Sequence, residues 1–144
     1  MSRAIAARGF ITESMMGAGS TDTNRLIREI EQGLPLRAME SLSLGLGLAL
    51  PDLATHLGIP ARTLARRKTA GRLSPDESER VVRVARLLEK ALALFDWESS
   101  EARQWLREPK QALAGQSPLD YARTEIGARE VENLLGRLEH GVFS

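Results

Sequence analysis

The stretch Leu50–Arg72, LPDLATHLGIPARTLARRKTAGR, constrains the fold of this chain more than any other. Pro51 and Asp52 suit a helix start, Gly58 supplies the left-handed residue of a tight turn, and Pro60 suits the start of a second helix. Two helices crossing over so short a turn approach closely, so the first needs a small residue and both must turn apolar side chains inward. Ala54 meets the first demand, and Leu53, Leu57, Ile59 and Leu64 meet the second. The spacing predicts a helix-turn-helix. One position departs from it. Arg67 stands at the late inward position of the second helix, where an aliphatic residue is usual. Either its stem lies along the core edge or the helix ends differently.

Charge is distributed unevenly around this motif. Residues 60–72 carry Arg62, Arg66, Arg67, Lys68 and Arg72 and no acid, whereas residues 96–144 carry six bases and nine acids, in a chain whose net charge is only +1. Such asymmetry fits one face for a polyanion and another for a different partner. The second helix of a helix-turn-helix enters the major groove of DNA with its N-terminal residues on base edges. Arg62, Thr63 and Arg66 lie on its outer face and are the base-reading candidates, since arginine bonds guanine through two donors. Lys68, Arg72 and Arg67 read as phosphate contacts, which position without specifying. A merely solvated basic face is the competing reading, and the motif spacing around the run argues against it.

The remaining chain reads as helical. No long run alternates with period two, so no sheet is expected. Residues 1–21 hold Gly9, Gly17 and Gly19 with poor periodicity and read as a flexible arm, with a turn or two of helix around Phe10–Met16. A helix is expected over Asn24–Gln32, ended by Gly33, and a second from Pro35, ended by Gly45 and Gly47. The apolar run Leu42–Leu50 is too short to span a membrane and reads as a buried helix-to-turn junction. Ser74-Pro75-Asp76-Glu77 is a capping box opening a helix to about Phe95. Val81, Val84, Leu88, Leu92 and Phe95 form one stripe, which Val82, Leu87, Ala91 and Leu94 widen beyond a single face. A helix this apolar must be covered on two sides, so it reads as a spine between two modules and as a surface available for a two-fold contact.

From Ser99 the helices are shorter. One is expected to Arg107, with Trp105 in the core beside Ala102 and Leu106; another turn at Lys110–Leu113; a helix from Pro118 to about Glu125, capped by Ser117; Gly127 as a turn; and a last helix to His140 with Val131, Leu134, Leu135 and Leu138 inward. The expected fold class is all-α. It comprises a flexible arm (1–21), a helix-turn-helix module (22–95) and, joined by the long helix, a small helical module (96–144).

Several chemistries are excluded or disfavoured. With no cysteine there is no disulfide framework, cysteine-ligated metal or thiol nucleophile, which fits a reducing cytoplasm. His56 and His140 have no metal-ligand spacing, and His56 reads as a surface residue. There is no phosphate loop: GLGLAL lacks the third glycine of a dinucleotide fingerprint and no strand precedes it. Neither a signal peptide nor a membrane span is visible. An enzyme is not expected, and no cofactor is implied.

Two modules in order carry a resemblance. A-x-x-W-L-x-x-P-x-x-A-L-x-G-x-S-P-L-D at Ala102–Asp120, T-E-x-G at Thr124–Gly127 and V-x-x-L-L-G-R-x-x-H-G-V-F-S at Val131–Ser144 resemble the C-terminal toxin-binding module of Xre/MbcA/ParS-type antitoxins. R-T-L-A-R-R at Arg62–Arg67 and R-L-S-P-D-E-S-E-R at Arg72–Arg80 resemble the helix-turn-helix portion of the same antitoxins. Together they cover roughly Leu34 to Ser144. The resemblance implies an antitoxin without catalytic role, bound to a RES-domain toxin that consumes NAD or transfers ADP-ribose from it. It also implies repression of the toxin–antitoxin promoter through operator DNA. The C-terminal end would reach the toxin's active site, which points to Leu138, Glu139, His140, Gly141, Val142, Phe143 and Ser144. A homodimer within a larger complex follows from paired half-sites. The competing function is a stand-alone transcription regulator whose C-terminal module serves dimerisation or sensing.

Overall fold

The computed structural model describes residues 20–141, with side chains from residue 23 onward. Eight α-helices follow in order within them: α1 (Ser20–Gln32), α2 (Leu36–Leu46), α3 (Leu50–His56), α4 (Ala61–Ala70), α5 (Pro75–Leu94), α6 (Ser99–Arg107), α7 (Pro118–Tyr121) and α8 (Glu125–Glu139), with a 3-10 turn at Gln111–Leu113. No β-strand occurs among these residues, so the fold class is the expected all-α one. The expected helical turn at Phe10–Met16 lies outside the described residues. So does most of the arm, although α1 begins at Ser20, earlier than the Asn24 that periodicity indicates.

Helix α5 is the spine, and its start is built as its sequence demands. The Ser74 hydroxyl accepts from the Glu77 amide at 3.2 Å while Glu77 Oε1 accepts from the Ser74 amide at 2.9 Å. Both apolar faces are buried within the one chain. Val81, Ala85, Leu87, Leu88 and Ala91 are fully enclosed, and α5 packs against α1, α2, α6 and α8. The second face of α5 is therefore covered by α8 and α6 rather than by another copy. The apolar surface that the sequence offers for a two-fold contact is not available there.

The helix-turn-helix core forms as spaced. Leu53, Ala54, Leu57, Ile59 and Leu64 are buried, and Gly58 turns the chain at φ +70°. Pro35 and Pro60 are caps rather than first helical residues: both are extended, with ψ near 153° and 154°. Gly45 lies buried inside α2, and Gly47 alone ends that helix in the left-handed conformation. The links flanking the motif are tied together. The Leu73 amide donates to the Leu34 carbonyl at 2.8 Å and the Leu36 amide to the Gly71 carbonyl at 3.0 Å, while the Leu34 amide donates to Ser78 Oγ at 2.8 Å. These bonds satisfy backbone groups that would otherwise be buried unpaired.

In the C-terminal half three expectations change. The helix from Pro118 stops after one turn at Tyr121, because Thr124 opens α8 by accepting from the Gly127 amide at 3.0 Å. Gly127 is then not a turn but a buried residue in the first turn of α8, facing the Tyr121 carbonyl so closely that a Cβ could not fit. Trp105 is half-buried at the edge of the core rather than enclosed in it. It packs against the core beside the enclosed Ala102 and Leu106, with Lys110 Nζ 5.0 Å from its ring centroid.

Charged side chains latch the two halves together. Arg103 on α6 donates to the carbonyls of Gly45 (2.9 Å) and Leu44 (3.0 Å) at the C-terminal end of α2, where a cation suits the helix dipole. Within the first half, Arg80 on α5 donates to the Leu57 carbonyl at 2.9 Å. His56, expected at the surface, is instead half-buried with Nδ1 standing 3.1 Å from Asp120 Oδ1.

Candidate functional site

Helix α4 is presented rather than buried. Of its ten residues only Leu64 is enclosed. Arg62, Arg66 and Lys68 are exposed and Thr63 is half-buried. Arg66 Nη2 lies 3.4 Å from Thr63 Oγ1, so two base-reading candidates share one edge of the helix. Thr69 was not singled out by the sequence. It is exposed three residues beyond Arg66 and seven beyond Arg62, so it extends their stripe. The helical spacing was the available signal.

Two expected phosphate contacts also have partners within the chain. Arg72 Nη1 donates to the Gly33 carbonyl, closing the C-terminal end of α1. Arg67 forms a two-pronged ion pair with Glu77, Nε to Oε1 at 2.7 Å and Nη2 to Oε2 at 3.1 Å. Its guanidinium is thus paired within the chain, with the side chain 27% exposed. The pair also resolves the departure at this position: the inward slot holds an arginine because a nearly buried carboxylate lies opposite.

Burial alone would raise the Glu77 pKa. The hydrogen bonds from Arg67 and Ser74, with the Arg67 charge, outweigh it and hold this carboxyl below the usual glutamate range. The carboxylate in turn raises the Arg67 pKa through their hydrogen bond. A carboxyl depressed in the folded state contributes stability that is full above its unfolded pKa and is lost as pH falls through the folded value. Urea-denaturation midpoints are therefore expected to drop on acidification below the usual glutamate range. Glu77→Gln should flatten that limb.

A second set of candidate residues lies at the end of α8. Leu138 is half-buried, and Glu139, His140 and Gly141 are exposed. The His140 amide donates to the Gly136 carbonyl at 3.1 Å, and Gly141, at φ +74°, turns the chain out of the helix. Val142, Phe143 and Ser144 lie outside the described residues. Ile126, not evident from the sequence, is 79% exposed in the first turn of α8. It stands beside the buried face of Gly127, Ala128 and Val131, and that register could have revealed it. Among the described residues no helix is long and apolar enough to cross a membrane.

Comparison with known proteins matches both halves. Residues 25–86 match the antitoxin Xre-like helix-turn-helix domain, and residues 90–141 match the antitoxin Xre/MbcA/ParS C-terminal toxin-binding domain. The two matches meet inside α5. The chain is 39% identical over 120 residues to an antitoxin Xre of Yersinia enterocolitica, covering 83% of this chain and 81% of the relative. It is 32% identical over 130 residues to an antitoxin Xre of Photorhabdus laumondii, covering 90% and 88%. An antitoxin Xre of Pseudomonas putida is 36% identical over 84 residues, 58% of this chain and 52% of the relative. These relatives are named as antitoxins, not enzymes. With both domains matched in order and most of each of the first two relatives covered, the chain belongs to the Xre family of antitoxins.

Proposed function

We propose that this antitoxin neutralises a RES-domain toxin through its C-terminal module, residues 96–144, and represses its own promoter through α4 of the module over 22–95. The observation that carries the DNA half is the exposed basic stripe of α4, seated on a helix-turn-helix core with no acid between residues 60 and 72. Arg62, Thr63 and Arg66 read bases, and Lys68 contacts phosphate. The toxin half is carried by the matched toxin-binding domain, whose last helix is followed by Gly141 at φ +74°. Leu138 to Ser144 reach toward the toxin's active site, which handles NAD or ADP-ribose. Paired half-sites call for a homodimer, formed through a surface other than the enclosed faces of α5. The protein works in the cytoplasm, where both partners are.

Arg66→Ala is expected to weaken promoter binding by about 1–3 kcal/mol, roughly 5- to 140-fold, and to leave toxin neutralisation intact. Fluorescence anisotropy with promoter and scrambled duplexes at matched salt tests this. Unchanged promoter affinity would remove Arg66 from the interface.

A further inference from the structure

Helix α4 has an unusual anchoring problem. It buries one side chain, Leu64, against the rest of the protein. A single apolar contact fixes where a helix sits but resists poorly its rotation about its own axis, and side chains that read base edges tolerate little rotation. Three residues on, Arg67 shares the inward face with Leu64. Its fork meets both oxygens of Glu77, the third residue of α5, and Glu77 Oε1 also closes the capping box of that helix through the Ser74 amide. The Glu77 side chain is 8% exposed, against 27% for Arg67. One carboxylate thus joins the presented helix to the start of the spine through two hydrogen bonds, in the planar fork geometry that sets angle as well as distance, and caps the spine through a third.

We infer that the Arg67–Glu77 pair is a positioning device for DNA readout, setting the rotation of α4 so that Arg62, Thr63 and Arg66 face base edges. The inference rests on the DNA reading above and adds two specificity-determining residues that touch no DNA. Arg67 acts through Glu77 on its neighbours, not on phosphate.

Simple electrostatics and the clamp predict opposite signs for Glu77→Gln. Removing an acid near a DNA-facing helix should strengthen binding to every sequence, whereas loosening α4 should erode the preference for the promoter. The experiment measures affinity for promoter and scrambled duplexes across a salt series, in the full chain, for wild type, Glu77→Gln, Arg67→Met and the double variant. The expected result is a roughly tenfold fall in the promoter-to-scrambled ratio for each single variant, with the double variant no worse than either. Scrambled-duplex affinity should hold or rise for Glu77→Gln. Arg67→Lys, which keeps the charge but not the fork, is the milder variant should the others fail to fold. It should retain scrambled-duplex affinity and still lose part of the ratio.

If Glu77→Gln leaves the ratio at its wild-type value, the clamp is overturned. If Arg67→Met instead weakens both duplexes alike and lowers the salt slope by about one, Arg67 is a phosphate contact and the clamp is again overturned. A wild type that does not distinguish the duplexes, with Arg66→Ala equally without effect, overturns the DNA reading and with it any role of the pair in readout. A wild-type preference abolished by Arg66→Ala but untouched by Glu77→Gln overturns the clamp alone.

Discussion

Gly127→Ala is expected to destabilise the fold by about 3 kcal/mol and to abolish toxin neutralisation at growth temperature. The reason is a backbone contact. Gly127 sits in the first turn of α8 with the Tyr121 carbonyl against its α-carbon, so an added Cβ meets an oxygen and carbon that no rotamer change can move. Either α7 must shift or the Thr124 cap must break, and Leu119 and Val131, both buried around this junction, lose packing. The same substitution at Gly136, in the last turn of α8, meets nothing within 4 Å. Gly136→Ala removes a helix-interior glycine and should stabilise by roughly 0.5–1 kcal/mol. Thermal unfolding of the pair checks the contrast: the midpoint should fall for Gly127→Ala and rise slightly for Gly136→Ala. Because α5 packs against elements of both halves, the loss should appear as one transition that also weakens the DNA-binding half. Equal midpoints for the two variants would refute the close contact.

Deleting residues 141–144 should have the opposite profile. Gly141 is exposed at φ +74°, and α8 is anchored independently of it by the buried Val131 and Leu135. Unfolding midpoint and promoter affinity are expected to stay within error. Toxin inhibition should weaken about 100-fold, the scale of losing an aromatic anchor from the centre of an interface. Titrating the deleted protein against toxin activity measures it, and full neutralisation would refute insertion of Val142 and Phe143.

What could be read before folding was local. Ala54, Gly58 and Ile59 betray the helix-turn-helix because a tight turn demands those residue types at fixed offsets. Ser74 and Glu77 betray the start of α5 because a capping box is a four-residue device. What could not be read depends on elements meeting across the chain. Gly127 looks like a turn residue until the Tyr121 carbonyl is seen against it. His56 looks exposed until α7 brings Asp120 to it. The double-sided helix α5 invites a dimer in sequence, and only the return of α8 shows that the chain covers itself. Arg67 is intermediate. Its misfit at an inward slot was visible, but its partner is ten residues on and across a turn, already assigned to a cap. The contacts proposed for residues 138–144 with a toxin lie beyond what any pattern of spacing encodes.

The most direct test is co-expression with the protein encoded by the adjacent open reading frame, followed by purification through a tag on one partner. The account predicts rescued growth and a stable complex with wild type, retained with Arg66→Ala and lost on deletion of residues 141–144. Growth arrest that persists with wild type, with no complex recovered, would contradict it.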